Sequence, residues 1–252
     1  MTLYSPVYNG AQQNGQPDSV MMELELARRA NARLIIRFTG SSHSNRDENG
    51  LSITTWKQRV DRYRHLDFSS YIEDGTLMGH LVMDEPTDAT DWGKVVTHEQ
   101  IEELGKYSKE VWPTLPVIVR AWPEWLKGTQ WRYVDATWAQ WVNRKRFGTL
   151  EEFIAKNVRE SKELGLELVA GLNILAGGGD GDEGLPGYHG RNSMTAAQIR
   201  EWGTRYLQEP YICAFFHWRY HSGYLARPDI QAALEDLAQK ARARPKKTCR
   251  KA

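Results

Sequence analysis

A chain of 252 residues is long enough for one large α/β domain with a full core, and somewhat short for two. Its 33 Lys and Arg against 32 Asp and Glu leave a formal charge of +1, which argues against a nucleic-acid or anionic-membrane binder. Ten Trp and eleven Tyr are many for this length, and Trp122, Trp125, Trp131, Trp138 and Trp141 lie close together. Flat apolar faces beside polar groups suit the stacking of a sugar ring.

The cysteines are Cys213, in an apolar run, and Cys249, in the basic stretch from Arg242 to Lys251, so no disulfide between them is expected. The basic stretch reads as a solvated terminus, giving one domain over residues 1–242 and a disordered tail over 243–252. MTLYSPVYNG at the start has neither a charged nor an apolar leader region. The apolar runs are too short to span a membrane, so neither a signal peptide nor an anchor is expected, and localisation stays open.

Apolar strands alternate with amphipathic helices, the pattern of a parallel sheet wrapped by helices. Leu3 to Asn9 reads as a short first strand and Gly10 to Pro17 as loop. Asp18-Ser19 caps a helix to about Ala32, and Leu34 to Phe38 is a buried strand. Thr55 with Gln58, Thr97 with Gln100, Thr149 with Glu152 and Thr195 with Gln198 each resemble a capping box opening a helix. Between and after them come strands at Leu77 to Met83, Val117 to Arg120, Tyr133 to Trp138, Leu166 to Leu175 and Tyr211 to Phe216. Pro228 opens the last helix. Seven strands fall one short of an eight-stranded (β/α)8 barrel. The missing unit is expected to be the first: the chain begins after strand one, or that strand is irregular, or the barrel is incomplete. An open doubly wound sheet is the alternative, but no GxGxxG follows an early strand.

The run Leu77 to Met83 ends abruptly in Asp84-Glu85-Pro86, because proline cannot extend the ladder. Two carboxylates therefore sit at a strand's C-terminal edge, where α/β barrels carry their chemistry. The other strand ends offer Arg37 and His43, Asp88, Arg120 and Trp122, Asp135, Trp138 and Gln140, Asn173, and His217, Trp218, Arg219 and Tyr220. Arg37, Glu85, Arg120, Asp135, Asn173 and Trp218 are expected to line one mouth; finding Asp135 and Glu85 at opposite ends of the sheet would sink both site and architecture. Trp122, Trp138 and Trp218 would form a sugar platform, and Arg37 and Arg120 would balance the carboxylates. Gly177 to Gly184, GGGDGDEG, reads as a lid whose carboxylates would repel a phosphate. Neither HxH, HExxH nor GxSxG occurs, so no metal, cofactor or serine nucleophile is expected.

On Asp84-Glu85-Pro86 and Phe216-His217-Trp218 the sequence resembles the clan of (β/α)8 glycoside hydrolases that includes cellulases and mannanases. In that clan a strand ending Asn-Glu-Pro carries the acid/base glutamate. A later strand carries the nucleophile glutamate, and the last strand gives a Trp to the sugar site. The resemblance implies a carbohydrate ligand, Glu85 as general acid/base and Trp218 as a sugar contact. The strand LELVAGLNIL has no Glu at its end, only Asn173. Asp84 or Asp135 would then be the second carboxylate. Asp135 as base favours inversion, which needs about 6.5–9.5 Å between the two groups. The rival is a non-catalytic carbohydrate-binding or scaffold barrel that has lost the nucleophile.

Overall fold

The computed structural model describes residues 7–179, 185–186 and 191–251. Seven parallel strands occur in chain order: β1 (Gly10–Asn14), β2 (Arg33–Arg37), β3 (Leu77–Asp84), β4 (Val117–Arg120), β5 (Ala136–Trp141), β6 (Glu167–Asn173) and β7 (Ile212–Trp218). Each pairs only with its sequence neighbours, and the sheet curls into a nearly closed barrel. The fold is therefore α/β and TIM-barrel-like. Among the described residues β1 and β7 do not pair, so a seam runs down the wall where an eighth strand would lie.

Helices cover the outside: α1 (Val20–Arg29), α2 (Ile53–Asp61), α3 (Ser69–Glu73), α4 (Ala89–Trp92), α5 (His98–Val111), α6 (Leu150–Glu163), α7 (Ala196–Gln208), α8 (Ser222–Leu225) and α9 (Pro228–Ala243). Complete capping boxes open α5, α6 and α7 at Thr97, Thr149 and Thr195. Loss of one such threonine hydroxyl costs about 1 kcal/mol. The box expected at Thr55 lies inside α2, whose cap is Ser52.

The pleat sorts every strand into two faces. Leu34, Ile36, Val117 and Val119 join the outer core beneath α1, α2 and α5. Ala139, Trp141, Leu168, Ala170 and Leu172 join a second outer core beneath α6, α7 and α9. The alternate residues Ile35, Leu81, Ile118, Trp138 and Val169 fill the barrel interior. Burying one such aliphatic side chain contributes about 1.5–3 kcal/mol. Continuing the same alternation upward brings Arg37, Arg120, Gln140, Asn173 and Trp218 to the C-terminal mouth, and a register shift after Leu81 brings Asp84 there too.

Four further expectations fail, the last of them that Cys213 and Cys249 stay unpaired. The first described strand is Gly10–Asn14, where a loop was expected, and residues 1–6 of the expected strand lie outside the described residues. The fifth strand starts at Ala136, three residues later than its apolar run suggests, which leaves Asp135 at the opposite end of the sheet from Glu85. The basic stretch after α9 is not a loose tail. Cys249 is wholly buried in the interior cluster and disulfide-bonded to Cys213. Lys247 Nζ donates to the Tyr211 carbonyl at 2.6 Å, and Lys251 Nζ to that of Trp131 at 2.7 Å. These residues strap the barrel's N-terminal base. Charge alone hid this, because the basic side chains meet strand-end carbonyls while one cysteine enters the core. No helix among the described residues is long and apolar enough to cross a membrane.

Candidate functional site

The mouth is organised by Asp84. Arg37 donates to one of its carboxylate oxygens and Arg120 to the other, and all three side chains are mostly shielded from solvent. The Asp84 carbonyl accepts from the Trp92 indole at 2.8 Å, so α4 fixes the strand end from outside. Arg120 also reaches Gln140 Oε1 at 3.1 Å and Glu85 Oε2 at 3.1 Å. One guanidinium thus joins the ends of β3, β4 and β5.

Glu85 takes a left-handed backbone, φ 49°, which is uncommon for a residue with a side chain. Its amide donates to the Arg120 carbonyl at 2.9 Å and its carbonyl accepts from Asp88 N at 2.9 Å, so the turn is pinned on both sides. The side chain is 55% exposed at the mouth. Its pKa is raised, first by desolvation and then by the charges of Asp84, Asp88 and Asp91, against the opposing pull of Arg120. A carboxyl of this kind holds its proton to higher pH than a free glutamate.

Asp135 is elsewhere. It is almost fully buried at the base, accepting from Val117 N at 2.7 Å and pairing with Lys109 at 2.6 Å. The six-residue β5 separates it from the mouth by about 17–20 Å. The expected link between architecture and site comes apart here: the barrel stands on strand order, while Asp135 leaves the site. Asp84 remains as the neighbouring carboxylate, and both its oxygens are taken.

The aromatic platform also divides. Trp122 turns outward against Phe147 and Phe153, with ring centroids at 4.9 and 6.3 Å. Trp138 is buried in the interior beside Phe216 and forms floor, with Gly171 clearing space because a Cβ there would come within 2.9 Å of Gln140 Cγ and 3.2 Å of Trp138 Nε1. Trp218 alone of the three is half-buried at the strand end, with the Arg219 guanidinium 5.2 Å from its ring centre; a cis peptide joins the two residues. His217 lies at the seam, its ring 5.7 Å from that of Tyr8, and burial draws its pKa down to about 4. Asn173 Oδ1 accepts from Ala176 N at 3.1 Å. Of the GGGDGDEG loop, residues 180–184 lie outside the described residues.

Sequence reading missed Trp92, Tyr8 and the exposed seam. Trp92 had a weak signal, being the apolar residue closing the acidic run after Pro86. Among the described residues no three His, Cys, Asp or Glu side chains come together as a metal site would need. A cavity of about 700 Å³ opens between β1 and β7, reaching Asp84, Arg120, Trp138, Gln140, His217 and Trp218.

No protein-family model matches the sequence, and no curated protein matches it. Solved structures do match in fold. A cellulase–inhibitor complex aligns over 92% of this chain and 83% of its own, at TM-score 0.54 and 13% identity. In fold the two are alike: both are barrels of parallel strands wrapped by helices. An intracellular xylanase of Thermoanaerobacterium saccharolyticum, solved as a mutant with xylotetraose, aligns over 87% of this chain and 80% of its own, at TM-score 0.55 and 11% identity. The β-D-glucuronidase of Dictyoglomus thermophilum aligns over 97% of this chain and 46% of its own, at TM-score 0.58 and 10% identity. At such identity the likeness to these proteins is one of fold.

Proposed function

We propose that this glycoside hydrolase-like barrel binds a carbohydrate at its C-terminal mouth without cleaving it by a two-carboxylate mechanism. The observation that carries this reading is the capture of both Asp84 oxygens by Arg37 and Arg120. Glycoside hydrolysis normally needs two working carboxylates about 5–9.5 Å apart. Asp135 is too far from Glu85, and Asp84 is neutralised. Glu85, exposed at the mouth with its pKa raised by desolvation, hydrogen-bonds a sugar hydroxyl, and Trp218 supplies the stacking face. Carbohydrate ligands in the xylanase and endocellulase structures of the same fold support the ligand class.

One feature favours hydrolysis instead: a raised carboxyl at a strand end is what a general acid requires. The two readings separate in one assay. Glycan arrays and calorimetry should find binding that survives Glu85→Gln, an isosteric donor, and drops about tenfold or more in Trp218→Ala. Reducing ends should not accumulate. Their release by the wild type, cut about a hundredfold or more by Glu85→Gln, would replace binding with hydrolysis.

A further inference from the structure

The chain as a whole is almost neutral, but the seam cavity is not. Among the described residues its lining includes Arg33, Arg242, Arg244, Lys246 and Lys247 towards the base, with Arg120 and Arg219 at the mouth, against the single carboxylate of Asp84. That carboxylate is already held by two arginines. Several of the cations meet carbonyl dipoles rather than opposite charge. Arg33 donates to the carbonyls of Gly75 and Lys247 at 2.9–3.1 Å. Arg244 donates to those of Glu209 and Ile212 at 2.9 and 3.2 Å. Such bonds satisfy the donors and leave the positive charge in place. Glu167 offsets Lys247 at 2.7 Å and Glu209 lies near Arg244, so Lys247 adds no net charge although neither carboxylate lines the cavity.

The walls lack acceptors in a second way. Trp138 Nε1 and Gln140 Nε2 have no partner among the described residues, and both side chains line the cavity. Both donors are shielded from solvent, so a ligand's acceptor oxygens meet them once the side chains turn towards the cavity. The cavity is also long. Met78 and Asp84 both line it, so it follows β3 for about 20 Å, which suits a linear chain better than one ring.

We infer that the ligand is an acidic saccharide chain, its charge carried by carboxylate or sulfate, lying along the seam from the mouth to the basic strap. This rests on the carbohydrate reading proposed above. The sugar rings meet Trp218 at the mouth, and the anionic groups meet the arginines and lysines below.

Calorimetric titration of the full chain tests this with four probes of equal length: tetragalacturonate, a sulfated heparin tetrasaccharide, xylotetraose and tetraglutamate. An acidic tetrasaccharide should bind about tenfold or more tightly than xylotetraose at 20 mM salt, and the gap should shrink at 500 mM. Whichever acidic sugar binds more tightly identifies the anionic group. Lys246→Gln, an exposed change that spares the disulfide, should weaken that binding about threefold, the scale of one exposed charge pair, while Lys246→Arg should not. Xylotetraose binding as well as both acidic sugars would overturn the inference and leave the carbohydrate reading intact. Tetraglutamate binding as tightly as the acidic sugars would overturn the saccharide class. Binding of none of the three sugars would remove the carbohydrate reading itself.

Discussion

Asp84 sets the charge balance of the mouth. With side-chain exposure of 15–21% across Arg37, Asp84 and Arg120, these charges are partly desolvated, and removal of the shared anion leaves two guanidinium groups facing each other. Asp84→Asn should lower stability to urea by about 2–3 kcal/mol, short of the cost at a fully buried pair. It should also lower the pKa of Glu85, since the Asp84 charge is one of the causes that raise it. An unchanged urea midpoint would mean that the three charges are solvated, and titration of Glu85 by carbon-detected NMR reads the second effect separately. Asp84 and Glu85 are neighbours in sequence with opposite behaviour. One is held by two arginines; the other is turned out on a left-handed backbone, where desolvation pushes its pKa up.

At the scale of the element, β3 shows why only part of the site was legible. Its apolar run and the Asp-Glu-Pro stop located both strand and mouth correctly, because a buried parallel strand leaves a plain signal. β5 gave no such stop. Tyr133 and Val134 look like strand residues, and nothing local shows that Asp135 accepts from Val117 and Lys109 at the base. The partners that fix its place lie eighteen and twenty-six positions away. Cys249 was hidden for the same reason, its neighbours being distant in sequence. β3 also carries His80 on its outer face, stacked on Trp56 at 5.5 Å and bonded to Ser108 at 2.9 Å. Burial lowers its pKa to about 3, and that of His217 to about 4. Both pKa values lie below the unfolded value of about 6.5, so the unfolded chain binds more protons below that pH. Stability is full above about pH 7 and is lost as pH falls from 6.5 towards 4 and 3. His80, wholly buried, contributes a slope of up to about 1.4 kcal/mol per pH unit, and His217, partly exposed to the cavity, contributes less. Urea midpoints at pH 7.5, 6 and 5 should fall in that order, and midpoints that hold level from pH 7.5 to 5 would contradict the buried neutral state.

For the whole molecule, the decisive feature is the strap across the base. Cys213 and Cys249 stand 36 residues apart. Closing a loop of that size restrains the unfolded chain by about 4 kcal/mol in the chain-entropy view. Cys249→Ser should therefore lower the melting temperature by roughly 10 °C for a chain of this length. Reductant should produce the same drop in the wild type and none in the variant; identical melting with and without reductant would show that the bond contributes nothing. The strap also bears on the order of events during synthesis. Cys213 sits at the start of the last strand, and its partner is made only after α9 has followed. At ribosomal speeds of about 5–20 residues per second, that thiol waits a few seconds with no partner yet made. Until that partner is made, the interior cluster lacks Cys249 and the base lacks its strap.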